Sequence, residues 1–271
     1  MKIDYFISYL TIGLISISFF SGFALLFFYN PITPLKSVEN LTLFSLGGSF
    51  FRKLHYFSSE ASLILVITHI VIESIKKNPK KSINKNQYIV ASFALFILIL
   101  LMFTGFVIKA DLSGQSAMLV AENIIKKSYL INFLLPLFKD PQNTVFRFYI
   151  MHISILPVLF TFLVLKHAKA VSLKKEFCSI ALAASLILTV ILKQPEDIIK
   201  IEQTKELLKG PWFFYGAENM LMFNFPVDLV VVIILFPFII LSLYPFLQNN
   251  KKILNYTLLA WVLFYGAISL V

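Results

Sequence analysis

Long apolar runs dominate this sequence and leave few folds open to it. Of the 271 residues, 58% are hydrophobic and only 14% are charged, whereas a soluble globular domain carries about 25% charged residues. Several of the runs reach or approach the roughly 20 residues that an α-helix needs to cross a bilayer. The sequence therefore predicts an all-α fold, a polytopic transmembrane helical bundle.

The apolar runs divide into about seven predicted spans. They cover residues 5–29, 52–75, 87–109, 145–166, 177–193, 226–247 and 253–271. The first run is longer than the core of a signal peptide and shows no small-x-small cleavage site, so we expect it to be a membrane span. The single Cys178 excludes an internal disulfide and a cysteine-ligated cluster within this chain.

Lysine placement predicts how these spans are oriented. Lysines cluster in three predicted connections, at 76–85, 166–175 and 251–252. In a seven-span arrangement these connections lie on one side, which the positive-inside rule assigns to the cytoplasm. We therefore expect a cytoplasmic N-terminus in a bacterial-type inner membrane. The net charge of +10 comes largely from loop lysines and does not indicate nucleic-acid binding.

The four histidines form two pairs, one pair in each of two predicted spans. His55 and His69 are 14 residues apart, and His152 and His167 are 15 residues apart. At about 100° and 1.5 Å per residue, each pair returns broadly to one helix face with a rise of roughly 21–23 Å. The two spans run in the same direction. His55 and His152 therefore share the outer level, and His69 and His167 share the inner level.

Two histidines at one depth on facing helices can provide both axial ligands of a haem iron. The sequence therefore predicts an outer haem on His55 and His152 and an inner haem on His69 and His167. Four histidines paired at matching depths favour ligation over unrelated packing residues. A transition-metal site is the alternative.

Arg52 and Arg147 are the only arginines among 24 basic residues. Arg52 lies three residues before His55, and Arg147 lies five residues before His152, so both fall at the outer level. A guanidinium group binds a carboxylate through two parallel hydrogen bonds, which lysine does not reproduce. We therefore predict that both arginines bind the propionates of the outer haem; ordinary interfacial arginines are the alternative.

These patterns resemble the cytochrome b subunit of quinol–cytochrome c oxidoreductases, that is, of the bc complexes and their plastid relatives. The segment RKLH at 52–55 and the later His69 match the family's Arg-x-x-His…His. The spacing of the second histidine pair and Pro157 match the plastid-type form. Gly22 in SGFALLFFYNP and Gly105 in FTGFVIK match glycines that let a porphyrin lie close to the backbone.

The resemblance covers nearly the whole chain and implies a fused form of the family. Residues 1–172 would form a dihaem domain, a haem-binding four-helix bundle, and residues 173–271 a three-helix C-terminal domain. The resemblance implies two non-covalent b-type haems, quinone or quinol as substrate, and quinol:cytochrome c oxidoreductase-type activity within a complex. It also implies a Rieske-type iron–sulfur protein and/or a c-type cytochrome as partners, contact with membrane lipid, and a homodimeric assembly.

Two quinol-site motifs depart from the family pattern. The family's outer site uses Pro-Glu-Trp-Tyr, whereas this chain reads GPWF at 210–213, with Pro211 and Trp212 but no glutamate between them. After the third span the family carries Pro-Trp-Gly/Asp-Gln, whereas this chain reads KADL. We predict Glu218 and Asp111 as proton acceptors of the altered site, because a carboxylate in a membrane-embedded pocket is often functional. An interfacial position is the alternative for Glu218.

On the cytoplasmic side, Lys169 and Glu176 are predicted quinone contacts, with solvated loop charges as the alternative. Two other functions stay open on the residues alone. One is a dihaem membrane anchor of another quinone-linked dehydrogenase or reductase, which typically has four or five spans. The other is a transporter subunit with a histidine proton path. The seven spans and the Arg-x-x-His segment favour the cytochrome b interpretation over the membrane anchor.

Overall fold

The computed structural model describes residues 3–75, 85–168, 175–193, 209–244, 246–247 and 251–271. These residues are mainly helical, and no β-strand occurs among them. The helices are α1 (Ile3–Leu26), α2 (Pro34–Leu43), α3 (Gly48–Ile75), α4 (Lys85–Ile108), α5 (Leu112–Lys127), α6 (Pro141–Ile150), α7 (Leu156–His167), α8 (Lys175–Ile191), α9 (Tyr215–Met222), α10 (Val227–Leu243) and α11 (Lys251–Ser269). Short 3₁₀ segments cover Asn132–Phe138 and Trp212–Phe214.

Five of the described helical segments are long and apolar enough to cross a membrane. They are Tyr5–Leu26, Gly48–Glu73, Asn86–Ile108, Pro141–His167 and Lys252–Ser269. The other two predicted spans correspond to α8 and α10, which are apolar but hold only 17 residues each. That length is at the short end of the roughly 17–25 residues that a crossing takes. The predicted all-α transmembrane fold is confirmed.

The fourth long segment contains a break in its regular hydrogen bonding. Helices α6 and α7 are joined by a π turn, Met151–Ile155, in which the Leu156 N–H donates to the carbonyl of Met151, five residues back. A π turn takes in one more residue than an α turn does. Pro157 follows directly: it has no N–H for the carbonyl four residues before it, and its ring would crowd that carbonyl. The π turn therefore lies where Pro157 would disturb a regular α-helix.

Small side chains hold together the first of two compact units, which comprises Met1–Ser82 and Ala168–Glu196. In it α1, α3 and α8 pack against one another, and α2 packs on α3. The fully buried small residues of these helices are Ser21, Ser58, Ser62, Ala181 and Ser185. Without large side chains at these positions, apolar helices can approach closely.

Helix α4 is at the centre of the second unit, Ile83–His167 and Asp197–Val271. It packs against α5, α6, α7 and α10, while α9 packs on α10 and α11. A buried aromatic and aliphatic cluster joins its last turns to α5, to the 3₁₀ segment Asn132–Phe138 and to α6; its members are Val107, Met118, Ile125, Phe138, Val145 and Phe148. The Ser92 hydroxyl donates to the Phe238 carbonyl at 2.8 Å, which links α4 to α10.

The two packing units differ from the predicted division at residues 172 and 173. Helix α8 lies with α1 and α3, and α4 lies with α10, so each unit combines helices from both parts of the sequence. The predicted assignment of haem binding to residues 1–172 and of a C-terminal domain to residues 173–271 stays a prediction.

Candidate functional site

His55, on α3, is anchored by helix α1. Its Nδ1 lies 2.9 Å from the carbonyl oxygen of Ser18 and 3.5 Å from the Ser18 hydroxyl. Because a carbonyl can only accept, Nδ1 carries the proton and Nε2 carries the lone pair. The same Ser18 hydroxyl lies 2.6 Å from the Ser59 hydroxyl, which itself donates to the His55 carbonyl.

His152 has an equivalent anchor within the second unit. Its Nδ1 lies 3.1 Å from the Leu101 carbonyl and 3.1 Å from the Thr104 hydroxyl on α4. The Thr104 hydroxyl donates to the Leu100 carbonyl at 2.8 Å, so it is an acceptor for the imidazole N–H. The proton is again on Nδ1, and Nε2 is again the coordinating type of nitrogen.

His69 and His167, the predicted inner pair, lie on the same two helical segments. His167, at the end of α7, has its Nδ1 3.2 Å from the Gln87 carbonyl at the start of α4. His69 is a half-buried residue of α3, 14 residues after His55. Metal-ligating histidines almost always donate their second ring N–H to a carbonyl, carboxylate or water, which fixes the tautomer and raises ligand basicity. His55, His152 and His167 have the chemistry expected of axial haem ligands.

Two glycines allow the imidazoles of His55 and His152 to reach these carbonyls. A Cβ atom on Gly22 would lie 2.9 Å from Cε1 of His55, and one on Gly105 would lie 2.8 Å from Cε1 of His152. Real Cβ atoms essentially never come within 3.0 Å of a heavy atom from another part of the structure. The structure thus places each predicted glycine against an imidazole ring, and contact of these glycines with a porphyrin stays a prediction.

The two arginines make hydrogen bonds to neutral acceptors. Arg52, buried on α3, donates from Nη1 to the Thr42 hydroxyl at 2.9 Å. Arg147, on α6, donates from Nη1 to the carbonyls of Leu137 at 3.2 Å and Lys139 at 2.9 Å. These bonds help to orient both guanidinium groups. Propionate binding by either arginine stays a prediction.

Glu218 folds back onto the segment that departs from the family's quinol motif. The Gly210 N–H donates to both carboxylate oxygens, at 3.0 and 3.2 Å, and a side chain at position 210 would collide with the carboxylate. Burial raises the pKa of Glu218 above its ordinary value, an effect opposed by the Gly210 N–H and the Lys209 charge. Pro211 is buried and Trp212 half-exposed beside it. The predicted Glu218, Pro211 and Trp212 therefore lie together.

Asp111 has a different set of contacts. It is the N-cap of α5, fully buried, and it accepts from the Gly114 N–H and the Ser113 hydroxyl, both at 2.9 Å. The Lys109 ammonium lies 3.1 Å from its other oxygen. A carboxylate with these partners has a structural role at the helix start, while proton acceptance by Asp111 stays a prediction.

The predicted cytoplasmic contacts lie largely beyond the described part of the chain. Lys169 is outside the described residues. Glu176 belongs to α8, but its side chain is not among those described. Sequence reasoning missed the carbonyls of Ser18, Leu101 and Gln87, because any helical residue has a carbonyl and nothing in its type marks it as an acceptor.

Comparison with known families identifies the family of this chain. The family model for cytochrome b/b6/petB matches residues 1–175, which is more than half of the chain. The chain belongs to the cytochrome b family. Among solved structures it is similar to a chain of a hyperthermophilic respiratory Complex III, with a TM-score of 0.74 and 15% sequence identity over 100% of this chain and 89% of that one. At that identity the likeness shows the fold alone. No curated protein matches the sequence.

This cytochrome b is an integral membrane protein of electron transport, and its family implies b-type haem. The matched region contains all four histidines and both arginines. Pro211, Trp212 and Glu218 lie after it. The predicted resemblance to cytochrome b is therefore confirmed. Of the two departures from the family's quinol-site motifs, the one at 210–213 lies after the matched residues and the one at 109–112 lies within them.

Proposed function

We propose that this cytochrome b holds two b-type haems and moves electrons between membrane quinol or quinone and partner redox subunits of a quinol–cytochrome c oxidoreductase-like complex. The observation that carries the proposal is the repeated anchoring of Nδ1 on a helix carbonyl, at His55, His152 and His167. Three histidines in one protein are thereby fixed in the tautomer that presents Nε2 to a metal. Unrelated packing histidines would have no common reason to share one acceptor type.

In this proposal His55 and His152 ligate the outer haem iron, and His69 and His167 ligate the inner one. When bound, haem supplies reversible one-electron transfer. The residues around it fix ligand orientation and supply charge. Arg52 and Arg147 lie three and five residues before the outer ligands, and each would bind a propionate of the outer haem through its guanidinium group.

Quinol would be oxidised near the segment that contains Pro211 and Trp212, with Glu218 taking a proton. Its raised pKa suits a group that must accept a proton near neutral pH. Asp111, Lys169 and Glu176 complete the proposed set of proton and quinone contacts at the two membrane faces. Activity would require the assembled complex.

Partners follow from what these 271 residues lack. The chain has one cysteine, so it contains neither a C-x-x-C-H haem attachment sequence nor cysteine ligands for an iron–sulfur cluster. Electrons leaving the outer haem therefore need an acceptor on another subunit, for which a Rieske-type protein and/or a c-type cytochrome is proposed. We place the complex, as a homodimer in contact with membrane lipid, in a bacterial-type inner membrane with a cytoplasmic N-terminus.

Haem stoichiometry and reduced-minus-oxidised spectra of the purified protein test the proposal. We expect two b-type haems per chain, and the His69→Ala variant is expected to keep one of them, with the spectrum of the outer haem unchanged. His152→Ala should instead lose the outer haem. A wild-type protein with no b-type band would contradict the proposal. Loss of both haems from a folded His69→Ala protein would contradict two separate sites.

Quinol:cytochrome c reductase activity of the complex, with and without an outer-site inhibitor, tests the proposed substrate. Inhibitor-sensitive reduction is expected if the altered motif still oxidises quinol. A dihaem protein without such activity would favour a membrane anchor of another quinone-linked enzyme. The two measurements therefore separate haem binding from quinol chemistry.

A further inference from the structure

The π turn lies between residues whose spacing differs in the two histidine pairs. His55 and His69 are separated by 14 residues on α3, and His152 and His167 by 15 residues on the α6–α7 segment. Helix α3 is regular throughout its described length. The α6–α7 segment is not, and His152 is the second residue of its wide turn, Met151–Ile155. The longer spacing and the irregular turn therefore occur in the same segment.

Helix geometry shows what a straight segment would do. Fourteen regular steps rotate a side chain to about −40° from its start with a rise of roughly 21 Å, whereas fifteen steps rotate it to about +60° with a rise of roughly 22.5 Å. On a straight helix, the angle around the axis between His152 and His167 would therefore differ by about 100° from the angle between His55 and His69. A π turn takes in one more residue than an α turn does. Fifteen residues that include one π turn therefore give about the same rotation and rise as fourteen residues of a regular α-helix.

We propose that the π turn at Met151–Ile155, held in place by Pro157, sets the rotation and the distance along the helix of His167 relative to His152. It absorbs the additional residue, so that the two histidine pairs have the same angular and axial separation. Pro157 supports this position of the turn because a proline in a regular helix loses one hydrogen bond and crowds the preceding carbonyl. The inference rests on the proposed function, in which these histidines ligate two haems.

Burial along the segment indicates which residue is the additional one. Ser154 and Ile155 are exposed within the turn, whereas Leu156 and Phe160 directly after it are each only 3% exposed. Removing an exposed residue of the turn and letting the helix straighten would leave Leu156, Phe160 and His167 on their present faces. Removing a residue from a regular helix would instead rotate every later side chain by about 100°.

The experiment compares one-residue deletions in the two segments. The first variant removes Ser154 and carries Pro157→Ala, so that a straight helix can form; Pro157→Ala alone is its background. The matched control removes Ile64, an exposed residue (53%) between His55 and His69 on regular α3. Haem per chain, the spectrum and midpoint potential of each haem, and the melting temperature in detergent are measured for all of them.

We expect the Ser154 deletion to keep two haems, both potentials and the melting temperature of its background. We expect the Ile64 deletion to fall from two haems to one and to melt at a lower temperature, because His69 and the buried residues after it are rotated. One haem in the Ser154 deletion, or two in the Ile64 deletion, would overturn the proposal. So would failure of the Ser154 deletion and a parallel Ile155 deletion to accumulate in the membrane while Pro157→Ala accumulates.

The same series separates this inference from the proposed function. If the wild-type protein binds fewer than two haems, the proposed function fails, and the melting temperatures alone then decide the role of the turn. An unchanged melting temperature after deletion in the turn supports an absorbed residue. A decrease as large as that caused by the Ile64 deletion contradicts it.

Discussion

A backbone carbonyl four residues before a small residue anchors each of three histidines. Gly22 follows Ser18 by four positions and Gly105 follows Leu101 by four, and in both cases the earlier carbonyl accepts from an outer imidazole. In an α-helix the Cα–Cβ bond tilts towards the N-terminus, so a side chain at the later position would cover that carbonyl. Ala91 stands four residues after Gln87, whose carbonyl accepts from His167. Small residues thus expose the acceptors that fix the imidazole rings.

A methyl group added at Gly105 tests the role of these small residues. Gly105→Ala should displace His152, since the new Cβ would lie 2.8 Å from its Cε1, and the outer haem should be lost or its midpoint potential shifted. Gly266→Ala is the matched control, because nothing lies within 4 Å of its added Cβ; it should leave both haems unchanged and gain about 0.5–1 kcal/mol of helix stability. Redox titration and thermal unfolding measure both. Equal spectra in the two variants would contradict the anchoring role of Gly105.

Glu218 should give quinol oxidation a pH dependence of known sign. Burial raises its pKa, and the Gly210 N–H and Lys209 act in the opposite direction. A base must be ionised to accept a proton, so the rate should rise as the pH rises through this pKa and then level off. Glu218→Gln should lower the rate by roughly 10²-fold and remove that pH step. Glu122→Gln, on α5, is the control and should retain the wild-type profile.

Stability should change with pH in the opposite sense. Because the pKa of Glu218 is raised on folding, its contribution to the free energy of unfolding is present at low pH and is lost as the pH rises through the folded-state pKa. The Gln variant should not show this loss.

An unchanged rate profile in Glu218→Gln, with quinol oxidation intact, would show that another group takes the proton.

At the scale of single elements, variants of Asp111 at the start of α5 distinguish a structural role of this aspartate from a proton-accepting one. Asp111 caps the helix through Gly114 and Ser113 and pairs with Lys109. Asp111→Ala should lower the free energy of unfolding by about 1–2 kcal/mol, whereas Asp111→Asn keeps the cap acceptor and should retain most of the stability. Thermal unfolding and quinol oxidation are measured for both variants. Loss of turnover in a stable Asp111→Asn protein would instead support its predicted proton-accepting role.

The apolar pattern predicted where helices lie better than how they bend. Each of the seven predicted spans has an apolar helix, because the bilayer sets both length and composition. The amphipathic helices α2 and α5 were not predicted, since their composition resembles that of loops. The π turn was not predicted either. A proline such as Pro157 disturbs a regular helix, but a sequence does not show whether the helix kinks, breaks or takes in an extra residue there.

The candidate site was predictable to the extent that residue type limits chemistry. Histidine is rare in this chain and costly in lipid, so four of them at regular spacing carried most of the information. The roles of Gly22 and Gly105 were only partly accessible: their small size was visible, but their contact with an imidazole depends on the neighbouring helix. Acceptors such as the Leu101 carbonyl are invisible in a sequence, because every residue type provides one.

At the scale of the whole molecule, the proposed haem ligands and the altered quinol segment lie in different parts of the sequence. The match to cytochrome b covers residues 1–175, which contain the proposed ligands and arginines. The residues after it contain the altered quinol segment at 210–213. Haem binding and quinol oxidation should therefore be separable by mutation. Variants at Glu218 should keep both haems, while variants at His152 should lose one together with activity.

The orientation in the membrane provides the last prediction. Lysine-rich connections assign residue 80 to the cytoplasm, and Tyr129, 87% exposed after α5, to the outer face. In a Cys178→Ser background, Tyr129→Cys should react with a membrane-impermeant maleimide in intact spheroplasts, whereas Lys80→Cys should react only after permeabilisation. Both variants denatured in detergent provide the control for full labelling. The reverse pattern would place the lysine-rich connections outside and would also reverse the levels assigned to His55 and His69.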